Sequence, residues 1–171
     1  MLYFAYGANL NLRGFKRRCL KAMPVGAAKL AGYRLEFRTY ATIVPDAGAE
    51  VLGALYDLTP QCLRSLDEYE GPEYDKITVT VATDDGPKDA TAYIMKAGER
   101  APPSVSYFTD IARGYGDWKL DAQVLRRARL MTLHPVKVER VRKLDGADPS
   151  AQLQHREKGH GGKTGGGRHQ R

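Results

Sequence analysis

The chain has 171 residues, a length that suits one domain of ordinary size. Its two cysteines, Cys19 and Cys62, are too few for a disulfide-stapled secreted scaffold, and their spacing matches no metal-binding pattern. No stretch reaches the roughly 18 apolar residues of a membrane span, and the apolar run at the N-terminus is shorter than a signal peptide requires. These features predict a soluble cytoplasmic protein with reduced thiols and no membrane partner.

The formal net charge of +7 is unevenly distributed along the chain. Residues 135–171 hold nine Lys or Arg and four Asp or Glu, a net charge of +5, which leaves +2 for residues 1–134. The end of the chain is rich in Gly, Lys, Arg and His and too poor in apolar side chains to form a core. We therefore predict one domain at residues 1–144 and a disordered basic tail at residues 145–171. Such a tail favours weak, non-specific binding of polyanions.

The first predicted element is a buried central strand over residues 2–6, an almost unbroken apolar and aromatic run. Gly7 ends this strand. Asn9 is a good N-cap residue for a short helix over residues 10–18 with a basic outer face.

The residue pattern in the middle of the chain predicts β-strands. Apolar and polar residues alternate over residues 33–40, which is typical of a strand with one solvated face. Residues 41–44 continue it until Pro45, and residues 46–48 predict a turn. Residues 51–58 form the next strand, and the strands at 77–82 and 90–95 predict a hairpin.

Helices are predicted at residues 60–70, from Ser104 onward, and from Asp121 to about residue 130. Residues 136–141 could form a last strand or an extended strap. Mostly antiparallel strands with a few inserted helices define an α+β domain, and short alternating strands suit a small curved or barrel-like sheet.

Glu70 is the most unusual residue of the predicted helix at 60–70. At about 100° per residue it falls on the apolar side of the helix, with Leu63, Leu66 and Tyr69. A carboxylate aimed at a core must be partnered, neutralised or used. Partial burial would raise its pKa toward the value that suits a general base near pH 7. A bond to backbone amides of a neighbouring turn is the structural alternative.

The segment formed by Tyr6, Gly7, Ala8, Asn9 and Leu10 is the second unusual feature. A strand that turns through a glycine into a helix exposes several backbone N–H groups in one direction. Such groups bind carboxylates or developing oxyanions. On spacing alone, a turn that merely caps a helix is the better explanation of these residues, because capped turns far outnumber anion sites.

The sequence resembles the γ-glutamylcyclotransferase-like family, which includes the AIG2-like proteins. Three segments carry the resemblance: LYFAYGANL at residues 2–10, LDEYEG at residues 66–71, and APPS at residues 101–104 followed by Tyr107. The similarity is colinear from the start of the chain to about residue 130. It does not cover the region from about residue 135 onward.

The resemblance implies a small mixed, mostly antiparallel β-barrel with flanking helices and a cavity between the glycine loop and the carboxylate. Glu70 matches the family's general acid/base, and the loop from Tyr6 to Leu10 matches the segment whose backbone holds the substrate. Tyr107, and with weaker support Tyr74, match residues lining the site. The implied reaction is an intramolecular aminolysis, of acyltransferase or lyase type, that releases 5-oxoproline and a free amine from a small γ-glutamyl compound. It requires no metal or organic cofactor.

Ala8 departs from the family pattern, because members commonly carry serine at this position. A hydroxyl contact is lost, while the backbone N–H is retained. Ala8 therefore keeps open a second function, that of a non-catalytic ligand-binding member of the same fold. The basic tail keeps open a third, that of a nucleic-acid-associated protein.

Overall fold

The structure, a computed structural model, describes residues 1–133. The predicted last strand or strap and the predicted tail lie outside the described residues and stay predictions. Within the described range, no helix is both long enough and apolar enough to cross a membrane.

Five strands form a closed barrel in the order β1-β3-β2-β4-β5. The strands are β1 (Leu2–Ala5), β2 (Met23–Arg38), β3 (Tyr40–Asp57), β4 (Tyr74–Thr83) and β5 (Gly86–Met95). Strand β1 is antiparallel to β3 and parallel to β5, and the other neighbouring pairs are antiparallel. This topology confirms the predicted α+β class with a mixed, mostly antiparallel barrel.

Within the described part of the chain, four α-helices flank the barrel: α1 (Leu12–Arg18), α2 (Pro60–Glu70), α3 (Val105–Asp117) and α4 (Ala122–Leu133). Helix α2 has the predicted bounds, because the Thr59 side chain accepts a hydrogen bond from the Cys62 N–H and Pro60 begins the first turn. Short 3-10 turns, Ala8–Leu10 and Gly71–Glu73, follow β1 and α2.

The prediction of a turn at residues 46–48 was wrong. Strand β3 continues through these residues, and the chain reverses instead at Thr39, whose φ is +66°. The turn-like residues lie instead at an irregularity within the hairpin. Opposite them on β2, the pairing between β2 and β3 shifts register at Gly32, which has a φ of +78°. A bulge absorbs the extra residues without ending the strand.

The predicted cap of the first helix was also wrong. Helix α1 begins at Leu12, and the side chain of Asn11 accepts a hydrogen bond from the Gly14 N–H. Asn9 lies one turn earlier, within the 3-10 turn, so its side chain is available for other contacts.

The barrel interior is filled by large apolar side chains, including Phe4, Phe37 and Leu55. Strand β3 approaches β1 closely at Gly53, where an added Cβ would lie 2.4 Å from the Ala5 carbonyl oxygen. This contact excludes larger residues at Gly53 and fixes the end of β1, where the glycine loop begins.

Candidate active site

The glycine loop, formed by residues 6–10, starts where strand β1 ends. The Leu10 N–H donates to the Gly7 carbonyl at 3.0 Å, and the Asn11 N–H donates to the Ala8 carbonyl at 3.2 Å. The amides of Ala8 and Asn9 precede these bonds, so the 3-10 turn itself provides no acceptor for them. Gly7, Ala8 and Asn9 form part of the cavity wall, and the Ala8 N–H also acts on the Tyr107 hydroxyl oxygen, where it lowers the pKa of that phenol against the larger, raising effect of burial.

Gly7 lies in a narrow space between β3 and α3, where a side chain would require a small shift of Ala41. A Cβ at this position would lie 3.3 Å from the Ala41 Cβ and 3.5 Å from the Tyr107 hydroxyl oxygen. Its φ of −113° is accessible to other residues, so the constraint is the close approach of the loop to β3 and α3.

The loop is held from behind by hydrogen bonds to its carbonyl groups. The Tyr56 hydroxyl donates to the Asn9 carbonyl at 3.1 Å, and the Trp118 indole N–H donates to the Leu10 carbonyl at 2.9 Å. At Gly114, helix α3 lies so near the loop that an added Cβ would be 2.4 Å from the Leu10 Cβ. These contacts give the loop a rigid support.

Leu10 does not line the cavity, although the sequence placed it with the substrate-binding residues. Its side chain is fully buried in the core, and its N–H is bonded within the turn. Tyr6, Gly7, Ala8, Asn9 and Tyr107 do line the cavity, together with Glu70. The structure therefore brings together all the predicted site residues except Leu10.

Glu70 is the last residue of α2 and is partly buried in the cavity wall. The Asn9 side-chain amide donates to its Oε1 atom at 3.1 Å and to the Tyr3 hydroxyl oxygen at 2.9 Å. Arg18 in turn donates to the Asn9 Oδ1 atom at 3.0 Å, which fixes the orientation of the amide. Asn9 thus links a guanidinium group to the carboxylate.

Burial raises the pKa of Glu70 to about 7, while the hydrogen bond from Asn9 and the charge of Arg18 act in the opposite direction. A carboxyl group with this pKa exchanges a proton readily near neutral pH. Tyr69, expected on the buried side of α2, is instead 52% exposed, and the Arg18 guanidinium carbon lies 4.4 Å from its ring centroid. The burial of Glu70 therefore comes from the cavity wall more than from its own helix.

The cavity has a volume of about 610 Å³, within the range of small-molecule sites. Aromatic side chains form much of its wall: Tyr3, Tyr6, Tyr40, Tyr69, Tyr74, Tyr93 and Tyr107. Of these, the sequence indicated only Tyr6, Tyr107 and Tyr74. Tyr69 precedes Glu70 on α2, whereas Tyr3, Tyr40 and Tyr93 come from separate strands, which only the closure of the barrel places together.

Tyr107, on α3, faces the glycine loop across the cavity wall. Its hydroxyl oxygen accepts a hydrogen bond from the Ala41 N–H at 3.2 Å. Burial is the main cause that raises its pKa to about 12, with a further contribution from the charge of Glu70. The phenol is therefore protonated at neutral pH, and with the oxygen already accepting a bond, its proton can be donated to a ligand.

Sequence reasoning missed two charged residues of the wall, Arg38 and Glu73. Glu73 lines the cavity but is itself exposed to solvent. Arg38 occupies a polar position in an alternating strand, a pattern that carries no signal for a cavity. Among residues 1–133, no three His, Cys, Asp or Glu side chains are grouped so as to hold a metal ion.

Comparison with known proteins identifies the family. The sequence model of the family described as gamma-glutamyl cyclotransferase, AIG2-like, matches residues 3–120. A human gamma-glutamylcyclotransferase is 37% identical over 130 residues, covering 66% of this chain and 69% of the human protein. The mouse gamma-glutamylcyclotransferase is 34% identical over 130 residues, which again cover 66% of this chain and 69% of the mouse protein. A solved structure of a gamma-glutamyl cyclotransferase matches with a TM-score of 0.70 and 32% identity, covering 75% of this chain and 85% of that one.

The chain belongs to the gamma-glutamyl cyclotransferase, AIG2-like family, which confirms the resemblance seen in the sequence. The family match ends near the start of α4, so it covers the barrel, the glycine loop, Glu70 and Tyr107.

Proposed function

We propose that this protein is a γ-glutamylcyclotransferase-like enzyme that releases 5-oxoproline and a free amine from a small γ-glutamyl compound. The observation that carries the proposal is a carboxyl group with a pKa of about 7 in a tyrosine-lined cavity, beside a rigid loop of backbone donors. The names of the human and mouse relatives support the same reaction class.

Glu70 is the proposed general acid/base. Its carboxylate accepts a proton from the α-ammonium group of the substrate, and the freed amine attacks the substrate's own γ-carbonyl carbon. A carbon–nitrogen bond forms and closes a five-membered ring. Glu70 then returns the proton to the leaving nitrogen as the original amide bond breaks, and the ring nitrogen gives its second proton to the released amine, which departs as an ammonium ion. The products are 5-oxoproline and the amine.

The glycine loop is the proposed binding site for the negatively charged group of the substrate. The amides of Ala8 and Asn9 stabilise a carboxylate or the oxyanion that develops at the γ-carbonyl, and the Tyr107 hydroxyl provides a further donor. Because both reacting groups belong to one molecule, holding its folded conformation supplies much of the rate enhancement. A loop fixed by Tyr56 and Trp118 suits this task.

The Glu70→Gln variant tests the proposed acid/base. We expect 5-oxoproline release to fall by about 10²- to 10⁴-fold, because glutamine cannot accept and return the proton. The assay compares γ-glutamyl amino acids, γ-glutamyl amines and glutathione as substrates. Glu73→Gln is the matched control, because Glu73 is a second carboxylate on the cavity wall, and it should retain turnover. Full activity of Glu70→Gln would exclude Glu70 as the base.

Ala8 makes ligand binding without turnover the second candidate, because the serine hydroxyl common in the family is absent. If the wild-type protein releases no 5-oxoproline from any of these compounds but is stabilised by one of them in thermal unfolding, it is a binding protein. In that case, Ala8→Ser is the variant to test for a gain of activity.

A further inference from the structure

The cavity wall carries a positive charge that the proposed proton transfer does not use. Arg38, the last residue of β2, lines the cavity beside the chain reversal formed by Thr39 and Tyr40. It is a guanidinium group in a wall that otherwise consists mostly of tyrosines, small residues and two glutamates.

The Arg38 side chain is held in a defined position. Its Nε atom donates to the Glu36 Oε1 atom at 2.9 Å, and only 19% of the side chain is exposed. Its Cδ atom lies 3.4 Å from the position of an added Cβ at Gly98, so the stem packs against that backbone. A guanidinium held through Nε retains its two terminal amino groups, the pair that binds a carboxylate in bidentate fashion.

The charge of Arg38 is only partly balanced by its neighbours. Glu36 is shared by three guanidinium groups: Arg34 and Arg100 at 2.7 Å and Arg38 at 2.9 Å. Asp46 adds a second carboxylate, 3.4 Å from the Nε atom of Arg34. Three positive groups and two negative groups leave the cluster with one net positive charge. Of the three arginines, only Arg38 lines the cavity.

We propose that Arg38 binds a carboxylate on the departing half of the substrate, and so determines specificity for γ-glutamyl amino acids over γ-glutamyl amines. The inference rests on the proposed function. With the α-ammonium group at Glu70 and the glutamyl negative charge at the loop amides, Arg38 is the cationic wall residue left for the part of the substrate beyond the scissile bond. An amino acid leaving group has a carboxylate there, whereas an alkylamine leaving group has none.

Two compounds that differ only by this carboxylate test the inference: γ-glutamylalanine and γ-glutamylethylamide. We expect the wild-type enzyme to favour γ-glutamylalanine by about 10- to 100-fold in kcat/KM, as a charge-assisted bidentate contact would give. Arg38→Met should lose this preference, with kcat/KM for γ-glutamylethylamide changed by less than about 3-fold. Methionine retains an apolar stem against Gly98.

Arg34→Met is the matched control. It also removes one guanidinium from Glu36, but outside the cavity, so the preference for γ-glutamylalanine should be unchanged. If Arg38→Met slows both compounds equally, Arg38 only shapes the wall and the inference is wrong. The same holds if Arg34→Met abolishes the preference as fully as Arg38→Met does.

A binding measurement separates failure of this inference from failure of the proposed function. Calorimetric titration of the Glu70→Gln protein, with and without Arg38→Met, gives the ratio of the two dissociation constants in the absence of turnover. A ratio that favours γ-glutamylalanine only when Arg38 is present supports the inference even if the wild type releases no 5-oxoproline. A ratio near one with Arg38 present, or no binding of either compound, overturns it.

Discussion

Among residues 1–133, two glutamates are at least partly withdrawn from bulk solvent, Glu36 and Glu70, and their carboxyl groups behave in opposite ways. Glu36 is 4% exposed and is surrounded by Arg34, Arg38 and Arg100. Burial alone would raise its pKa, but the hydrogen bonds from these arginines lower the pKa below its ordinary value. Burial raises the pKa of Glu70 to about 7, because an amide from Asn9 and a more remote Arg18 compensate only part of that effect.

The difference shows that burial alone does not make a carboxylate a base. Glu36 has its charge fixed by three partners, so it is suited to holding strands and arginines in place. Glu70 has a donor that orients it without neutralising it, so either protonation state is accessible near pH 7. The number of charged partners distinguishes the structural glutamate from the proposed catalytic one.

Removing the charge of Glu36 should have the largest effect on stability. Glu36→Gln leaves three arginines close together around a neutral side chain, so we expect a loss of about 3 kcal/mol in the free energy of unfolding. Urea unfolding measures it. Glu50→Gln is the control, because Glu50 forms only an exposed 3.9 Å pair with Lys29 and should cost less than about 1 kcal/mol. Equal effects of the two substitutions would contradict the assigned role of Glu36.

The pH dependence of stability should separate the two glutamates further. Glu70 binds its proton more tightly in the folded chain, with a pKa of about 7, than at its ordinary value of 4.5. Its stabilising contribution is therefore complete below pH 4.5 and is lost as the pH rises through 7, on the order of 3 kcal/mol at most. Unfolding of Glu70→Gln measured from pH 4 to 8 should lack this decline.

Glu36 should act in the other pH direction, because its pKa is lowered in the folded chain. Its contribution to stability is present above its ordinary value of 4.5 and is lost as the pH falls through the lowered value. Acid unfolding of Glu36→Gln should consequently be less steep than that of the wild type. An unchanged slope would mean that Glu36 is not ionised in the folded protein.

The smallest expected effect concerns the residues that tune Glu70. Arg18→Met removes a positive charge that lowers the pKa of Glu70. The acid limb of the kcat/KM profile should move to higher pH, by about half a unit for a partly exposed charge. Arg17→Met, an exposed position on the same helix, should leave the limb in place. A shift to lower pH would contradict the proposed link through Asn9.

The parts of the fold that the sequence predicted depend on local signals. The first and last residues of helix α2 could be predicted because Thr59 and Pro60 begin the helix and Gly71, with a φ of +68°, ends it. The inward position of Glu70 followed from helical periodicity. The long hairpin of β2 and β3 could not be predicted, because Pro45 and the residues after it have turn-like composition. Pairing with β2 nevertheless resumes beyond them, from Glu50 onward.

The candidate site was predictable in part for the same reason. The glycine loop and Glu70 occur in short, recognisable segments, whereas the contact of Asn9 with Glu70 joins residues 61 positions apart. Arg38 and the tyrosines of β1 and β5 reach the cavity only through barrel closure. A local sequence pattern cannot predict contacts between strands that are distant in the sequence.

The parallel pairing of β1 with β5, at Tyr3 and Thr91, has a consequence for how the protein is made. A ribosome has already synthesised the glycine loop and Glu70 when the last strand of the barrel is still missing. Closing a loop of this length is entropically costly, so the pairing should form late in folding. A newborn chain that ends before β5 therefore has the acid and the loop but no enclosed chamber in which to use them.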